Sequence, residues 1–120
     1  MYSLTCPTSS DKFTVNTSNG NGALTYPVGL ITADEVAMAG GVFETSNSSY
    51  YLYTNQVYWS GSPSFFYSSN GSVDEFYVRS SGSLSHAIVD AAYSARPVVS
   101  LSSKAKLLGN GTYTNPYTVS

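Results

Sequence analysis

"DEFYVRS", residues 74–80, alternates along its length, and that alternation sets the fold to expect. In an extended chain Glu75, Tyr77 and Arg79 fall on one face, Phe76 and Val78 on the other. A period of two is the pattern of a half-buried antiparallel strand. Turn chemistry flanks it: "SSNGS" at 68–72 and "SSGS" at 80–83 carry Asn and Gly, which supply positive φ at little cost. Farther out lie "VYW" (57–59), "SFFY" (64–67), "HAIV" (86–89) and "PVVSL" (97–101). These β-branched and aromatic runs read as strands of four to seven residues. Two further turn clusters, "NTSNGNG" (16–22) and "GNGT" (109–112), complete the punctuation.

One helix is signalled against this background. In "LITADEVAMAGG" (30–41), Thr32 stands three residues before Glu35, the spacing of a capping box that satisfies two otherwise orphaned N–H groups. Asp34 adds negative charge where the helix dipole favours it. Ala33, Ala37 and Ala39 propagate the helix, Val36 and Met38 give it apolar contacts, and Gly40–Gly41 are suited to end it. The fold class is therefore α+β: a compact domain of short antiparallel strands, one or two short helices and long loops.

The 120 residues fit one domain, large enough for a core without metals or disulfides. The start, "MYSLTCPTSSDKF", reads as the middle of something, so the chain is expected to be the C-terminal module of a longer protein. Charged residues are only 10%, against roughly 25% in an ordinary domain. The net charge of −2, with five Lys and Arg, argues against nucleic acid, whose phosphates demand clustered cations. Apolar runs fall short of the ~20 residues of a membrane span. Cys6, the single cysteine, allows no internal disulfide and no Cys-rich zinc site.

The inventory for catalysis is thin. His86, the one histidine, could formally complete a triad with Asp90 and any of many serines, but no nucleophile-elbow pattern surrounds a serine. It reads as a strand or loop residue. Asp34–Glu35 belongs to the helix cap, and Asp74 and Glu75 point to opposite faces of a strand. Neither pair resembles a catalytic carboxylate pair. No metal-ligand spacing or phosphate loop occurs, so no metal, no cofactor and no enzymatic activity is expected. Sequons at Asn16, Asn47, Asn70 and Asn110 indicate exposed turns.

Aromatics are the stronger clue. Residues 50–71 hold eight of the seventeen aromatic rings and no charge. Tyr with Ser, Gly and Asn is the composition of binding loops, because Tyr offers a large, rigid, amphipathic contact. Tyr is also favoured in strands by propensity alone. For Tyr58 and Trp59 the strand-core reading is preferred. For the tips "SNSSYY" (46–51) and "FFYSSNGS" (65–72) both readings stand, and Tyr50, Tyr51, Tyr53, Phe65, Phe66, Tyr67 and Asn70 are the candidate ligand contacts. Stacking on sugar rings or on a partner's apolar patch would be the mechanism.

Four segments taken together, "YPVGLITADEVAMAGG" (26–41), "YLYTNQVYWSGSP" (51–63), "ARPVVSL" (95–101) and "GNGTYTNPYTV" (109–119), resemble a C-terminal module of Gram-positive, phage and gut-metagenome surface proteins. The resemblance covers residues 20–119 and points to the broad C-type-lectin-like group. It implies a β core presenting variable loops, and binding more often than catalysis. Trp59, Ser62 and Pro63 map onto its "YW-x-x-SP" element, and Arg96, Pro97 and Val98 onto "x-RPV"; these are expected to be structural, with Arg96 making fixed backbone hydrogen bonds. The calcium-dependent sugar motifs Glu-Pro-Asn and Trp-Asn-Asp are missing, as is the paired cysteine of the group's sulfatase-activating enzymes. The expectation is a non-enzymatic recognition or adhesion module, extracellular, cell-surface or on a virion tail, binding glycan or protein without calcium. The alternative is a structural terminal domain of a pilin-like or phage tail assembly subunit, in which exposed tyrosines meet neighbouring subunits or further copies of the chain.

Overall fold

A computed structural model describes residues 8–12, 14, 15, 18, 20, 24–26, 28–112 and 114–120. Cys6 and the Asn16 sequon lie outside the described residues. The central element is an antiparallel three-stranded sheet in chain order: β2 (Tyr58–Tyr67), β3 (Ser72–Val78) and β4 (Leu84–Ile88). Two small antiparallel sheets accompany it. One pairs β1 (Val28–Leu30) with β5 (Pro97–Val99), the other β6 (Leu107–Leu108) with β7 (Thr118–Val119). With α1 (Ala33–Ala39) and a 3-10 turn at Ser9–Asp11, the architecture of the described residues is α+β, mostly small antiparallel sheets around one α-helix.

The capping box forms at α1. Thr32 Oγ1 accepts from Glu35 N–H, and Glu35 Oε2 accepts from Thr32 N–H at 2.8 Å. The helix ends at Gly40, whose φ of 121° a side chain would resist. Its inward residues Ala33 and Val36 join Ile31, Tyr50, Leu52, Tyr58, Val78 and Leu84 in one apolar core. Val36 is wholly buried, which contributes about 1.5–3 kcal/mol. Met38 is largely exposed rather than packed inward, because it lies two positions, about 200° around the helix, from Val36.

Register assigns the sheet's faces. Val78 pairs with Tyr58 and Leu84, and Phe76 with His86, so this face lies under α1. Tyr77 pairs with Trp59 and Ser85 on the opposite face. That second face is not open either, since Tyr77 is buried. Residues 89–96 return across it, placing Tyr93 4.7 Å from Tyr77 and 4.8 Å from Trp59 between ring centroids. "VYW" and "SFFY" also merge into one ten-residue strand, β2. Its register shifts on either side of Pro63, which has no N–H for the ladder and sits on an edge strand, where that loss is tolerated. Asn47 is likewise not a free turn residue: it is half-buried, and its Nδ2 donates to Gly40 O at 2.8 Å, below the helix end.

Two buried tyrosines make the fold sensitive to alkali. Burial, then the neighbouring Tyr58, pushes the Tyr50 hydroxyl up from 10.0 to about 12, and burial raises Tyr58 also. Below pH 10 both hydroxyls are protonated in either state and stability is unaffected. Above it the unfolded chain ionises first, so stability falls as pH rises towards 12. Thermal melting followed from neutral pH to pH 12 should fall over that window, and Tyr50→Phe should make the fall shallower.

Candidate functional site

The helix-side face of the three-stranded sheet changes character along its length. Near α1 it is closed core. Beyond Phe76 and His86 it opens, and Phe65 and Tyr67 stand on it, 55% and 38% exposed, with their rings edge to face at 4.6 Å. Phe65 is paired with Asp74 across the ladder, and Tyr67 with Ser72. Asp74 is thus held beneath these rings and is only 4% exposed.

A buried carboxylate is costly unless it is hydrogen-bonded. Asp74 Oδ2 meets His86 Nδ1 at 2.7 Å and accepts a longer bond from the Tyr67 hydroxyl at 3.4 Å. Oδ1 is buried with no partner among the described residues. With Asp74 on Nδ1, Nε2 of His86 is the ring nitrogen with no hydrogen-bond partner among the described residues. The imidazole lies parallel to the Phe43 ring, 5.9 Å away, and is more than a third exposed. Phe43, Phe76, Leu84 and His86 line a pocket of about 390 Å³, which Ser64 and Asp34 edge with polar groups. Phe65, Tyr67, Asp74, His86 and Phe43 therefore form one chain of contacts leading from the open face into a concavity.

Such a site offers ring faces for apolar contact and a fixed imidazole for a hydrogen bond. Among the described residues His86 hydrogen-bonds to Asp74 alone, with no hydroxyl or thiol poised at its other nitrogen. No three of His, Cys, Asp and Glu cluster as metal ligands among the described residues. No described helix is long and apolar enough to cross a membrane. No family model matches the chain, nor does any curated protein or solved structure.

The candidate contacts do not form one surface. Phe66, 60% exposed, pairs with Val73 and faces away from Phe65 and Tyr67, because adjacent strand residues point oppositely. Tyr51, 81% exposed, borders a separate groove of about 580 Å³ with Met38, Leu52, Arg96 and Pro97. Tyr50 is a correction: it is buried in the core, and its hydroxyl donates to Gly82 O at 2.8 Å, so it offers no contact surface. Tyr53 is half-buried against that core. Asn70 is exposed in the β2–β3 turn, with Oδ1 committed to Ser72 N–H at 3.0 Å.

The residues assigned to structure lie elsewhere. Arg96 donates to Leu52 O at 2.6 Å and stacks over Tyr58, 5.2 Å from the ring centre. Pro97 pairs with Leu30 in the β1–β5 sheet. Trp59 is half-buried among Tyr77 and Tyr93, and Pro63 is exposed at the shift in β2. The Asp74–His86 pair and Phe43 were not among the sequence candidates. The partner formally available to His86 was Asp90; in the folded chain it is Asp74. Alternation within "DEFYV" puts Asp74 on the Phe76 face, and a β3–β4 register opposing Phe76 to His86 makes Asp74 the diagonal neighbour.

Proposed function

We propose that the chain is a non-enzymatic recognition or adhesion module of C-type-lectin-like type, holding a glycan or protein ligand against the open end of its central sheet. The observation that carries this reading is the pair of exposed rings, Phe65 and Tyr67, standing beside the Asp74–His86 pair and the Phe43 pocket. Exposed aromatics cost solvation and gain it back on contact, which is why they concentrate at binding centres. Ring faces suit the apolar face of a sugar or a partner's side chain, and the imidazole supplies orientation. Neither calcium nor another metal is required by this arrangement. The setting that fits is extracellular: a cell surface or a virion tail.

Glycan-array screening, followed by titration of the best ligand, tests the proposal. Phe65→Ala with Tyr67→Ala should weaken binding at least about tenfold, as loss of central aromatic anchors does. Phe66→Ala, on the opposite face, should change it less than threefold or so. Full affinity in the double variant, or an array without ligands for a protein that loses assembly on Tyr67→Ala, would overturn the reading. A second reading, the terminal domain of a pilin-like or phage tail assembly subunit, is favoured by one observation. Leu107, Leu108, Tyr117 and Val119 on the β6–β7 hairpin are each more than half exposed.

A further inference from the structure

The β6–β7 hairpin is too small to stand alone. Its strands are two residues each, and an isolated two-stranded ribbon is marginal in water. It nevertheless displays the four large apolar side chains just named, on a stretch that also carries Lys104 and Lys106. Neither lysine has an ion-pair partner among the described residues. Charge is divided unevenly along the chain. Residues 91–120 contain Arg96, Lys104 and Lys106 and no acid, whereas residues 1–90 contain two cations and all seven acids.

A matching surface lies on the body. Val28, Gly29, Leu30, Gly61, Pro97 and Glu75 line a groove of about 410 Å³. Its wall includes the exposed Val28 and Pro97; Val99, which pairs with Val28, is exposed too, and so are Pro63 and Phe66, which pair with Glu75 and Val73 on the Glu75 face of the central sheet. Glu75 has no cationic partner among the described residues, and burial alone raises its carboxyl above the usual range. An approaching ammonium group would relieve that cost. Wall and arm thus share a pattern, apolar surface beside unpaired charge, with opposite signs.

We propose that the β6–β7 arm of one copy of this chain docks in the Glu75 groove of a second copy, with the cross-strand pair Leu107 and Val119 on the apolar wall and Lys104 or Lys106 against Glu75. Arm and groove are different surfaces, so the contact is heterologous, and each copy can both give and receive. The arm does not cover this groove in its own chain, where the rim residues stay exposed. The contact lies away from the Phe65–Tyr67 face and is independent of the ligand reading.

Sedimentation velocity of the full chain over about 10 µM to 1 mM, at low and high salt, provides the test, since self-association must follow mass action. The expected result is concentration-dependent association that weakens in high salt, where exposed charge pairs are screened. Glu75→Lys and Lys104→Glu/Lys106→Glu should each weaken it about tenfold, beyond what a neutral truncation of one exposed pair would cost. Mixing those two variants should restore association, because the reversed arm then meets a reversed groove; this also shows that both are folded. Leu107→Ser/Val119→Ser, on one face of the arm, should abolish it while leaving ligand binding at Phe65 and Tyr67 intact. A monomer at every concentration, or association that the charge reversals leave unchanged, overturns the proposal. Association that each reversal removes but the mixture fails to restore overturns the arm-to-groove pairing as well.

Discussion

Gly82→Ala is expected to destabilise the chain by roughly 3–5 kcal/mol, a large share of the 5–15 kcal/mol typical of a domain. Gly82 closes the β3–β4 hairpin, donating to Arg79 O at 2.8 Å with φ at 81°. This is the left-handed position of a short hairpin loop, which an L side chain occupies only with strain. A second cost is specific to this fold. A Cβ on Gly82 would lie 1.8 Å from the backbone oxygen of Asn47, which crosses directly over the turn. Asn47 is held there by its N–H to Ser81 O at 3.1 Å and by its side chain to Gly40 O. Backbone on both sides leaves little room to relax. Gly71 is the control: its φ is 74°, but nothing lies within 4 Å of a Cβ, so Gly71→Ala should cost only about 1 kcal/mol. Urea denaturation of the two variants measures the difference. Equal costs would mean that segment 47 does not press on the turn.

Tyr58 is the second sensitive point, through its ring rather than its hydroxyl. It is 2% exposed, contacts the core from β2, and carries the Arg96 guanidinium over its face. Tyr58→Ala should cost about 3–5 kcal/mol, the range for deleting a buried aromatic side chain. Tyr58→Phe should cost less than about 1 kcal/mol. The hydroxyl's bond to Leu52 O is long, at 3.3 Å, and the same carbonyl keeps its 2.6 Å bond from Arg96, so no buried acceptor is orphaned. The same denaturation experiment decides; a phenylalanine variant as unstable as the alanine one would show that the hydroxyl matters more than the packing.

Much of the local structure could be read in advance because it depends on residues three or four apart. Thr32 and Glu35 cap α1 through bonds that span three residues, and β3 alternates as its own sequence dictates. Turn positions followed from Asn and Gly for the same reason. The burial of Tyr77 was not legible, because its cover, Tyr93, arrives from sixteen residues away, on a loop that no periodicity announces. The candidate site was only partly legible. Aromatic density marked Phe65 and Tyr67, but it marked Phe66 and the buried Tyr50 equally, since composition does not record which way a ring points.

By itself, then, the sequence determined the single capped helix, the turns and the short antiparallel strands of this α+β chain, along with the charge-poor, aromatic-rich surface chemistry. Only the tertiary structure decided which rings are core and which are open. It also decided that Phe66 parts from its neighbours, and that His86 finds Asp74. The physical reason is register. A one-residue shift between β3 and β4 would leave every local preference satisfied while sending His86 to the other face, away from Asp74. What fixes that register is the burial of Tyr58, Val78 and Leu84 together under Val36, contacts between residues that the chain brings from far apart.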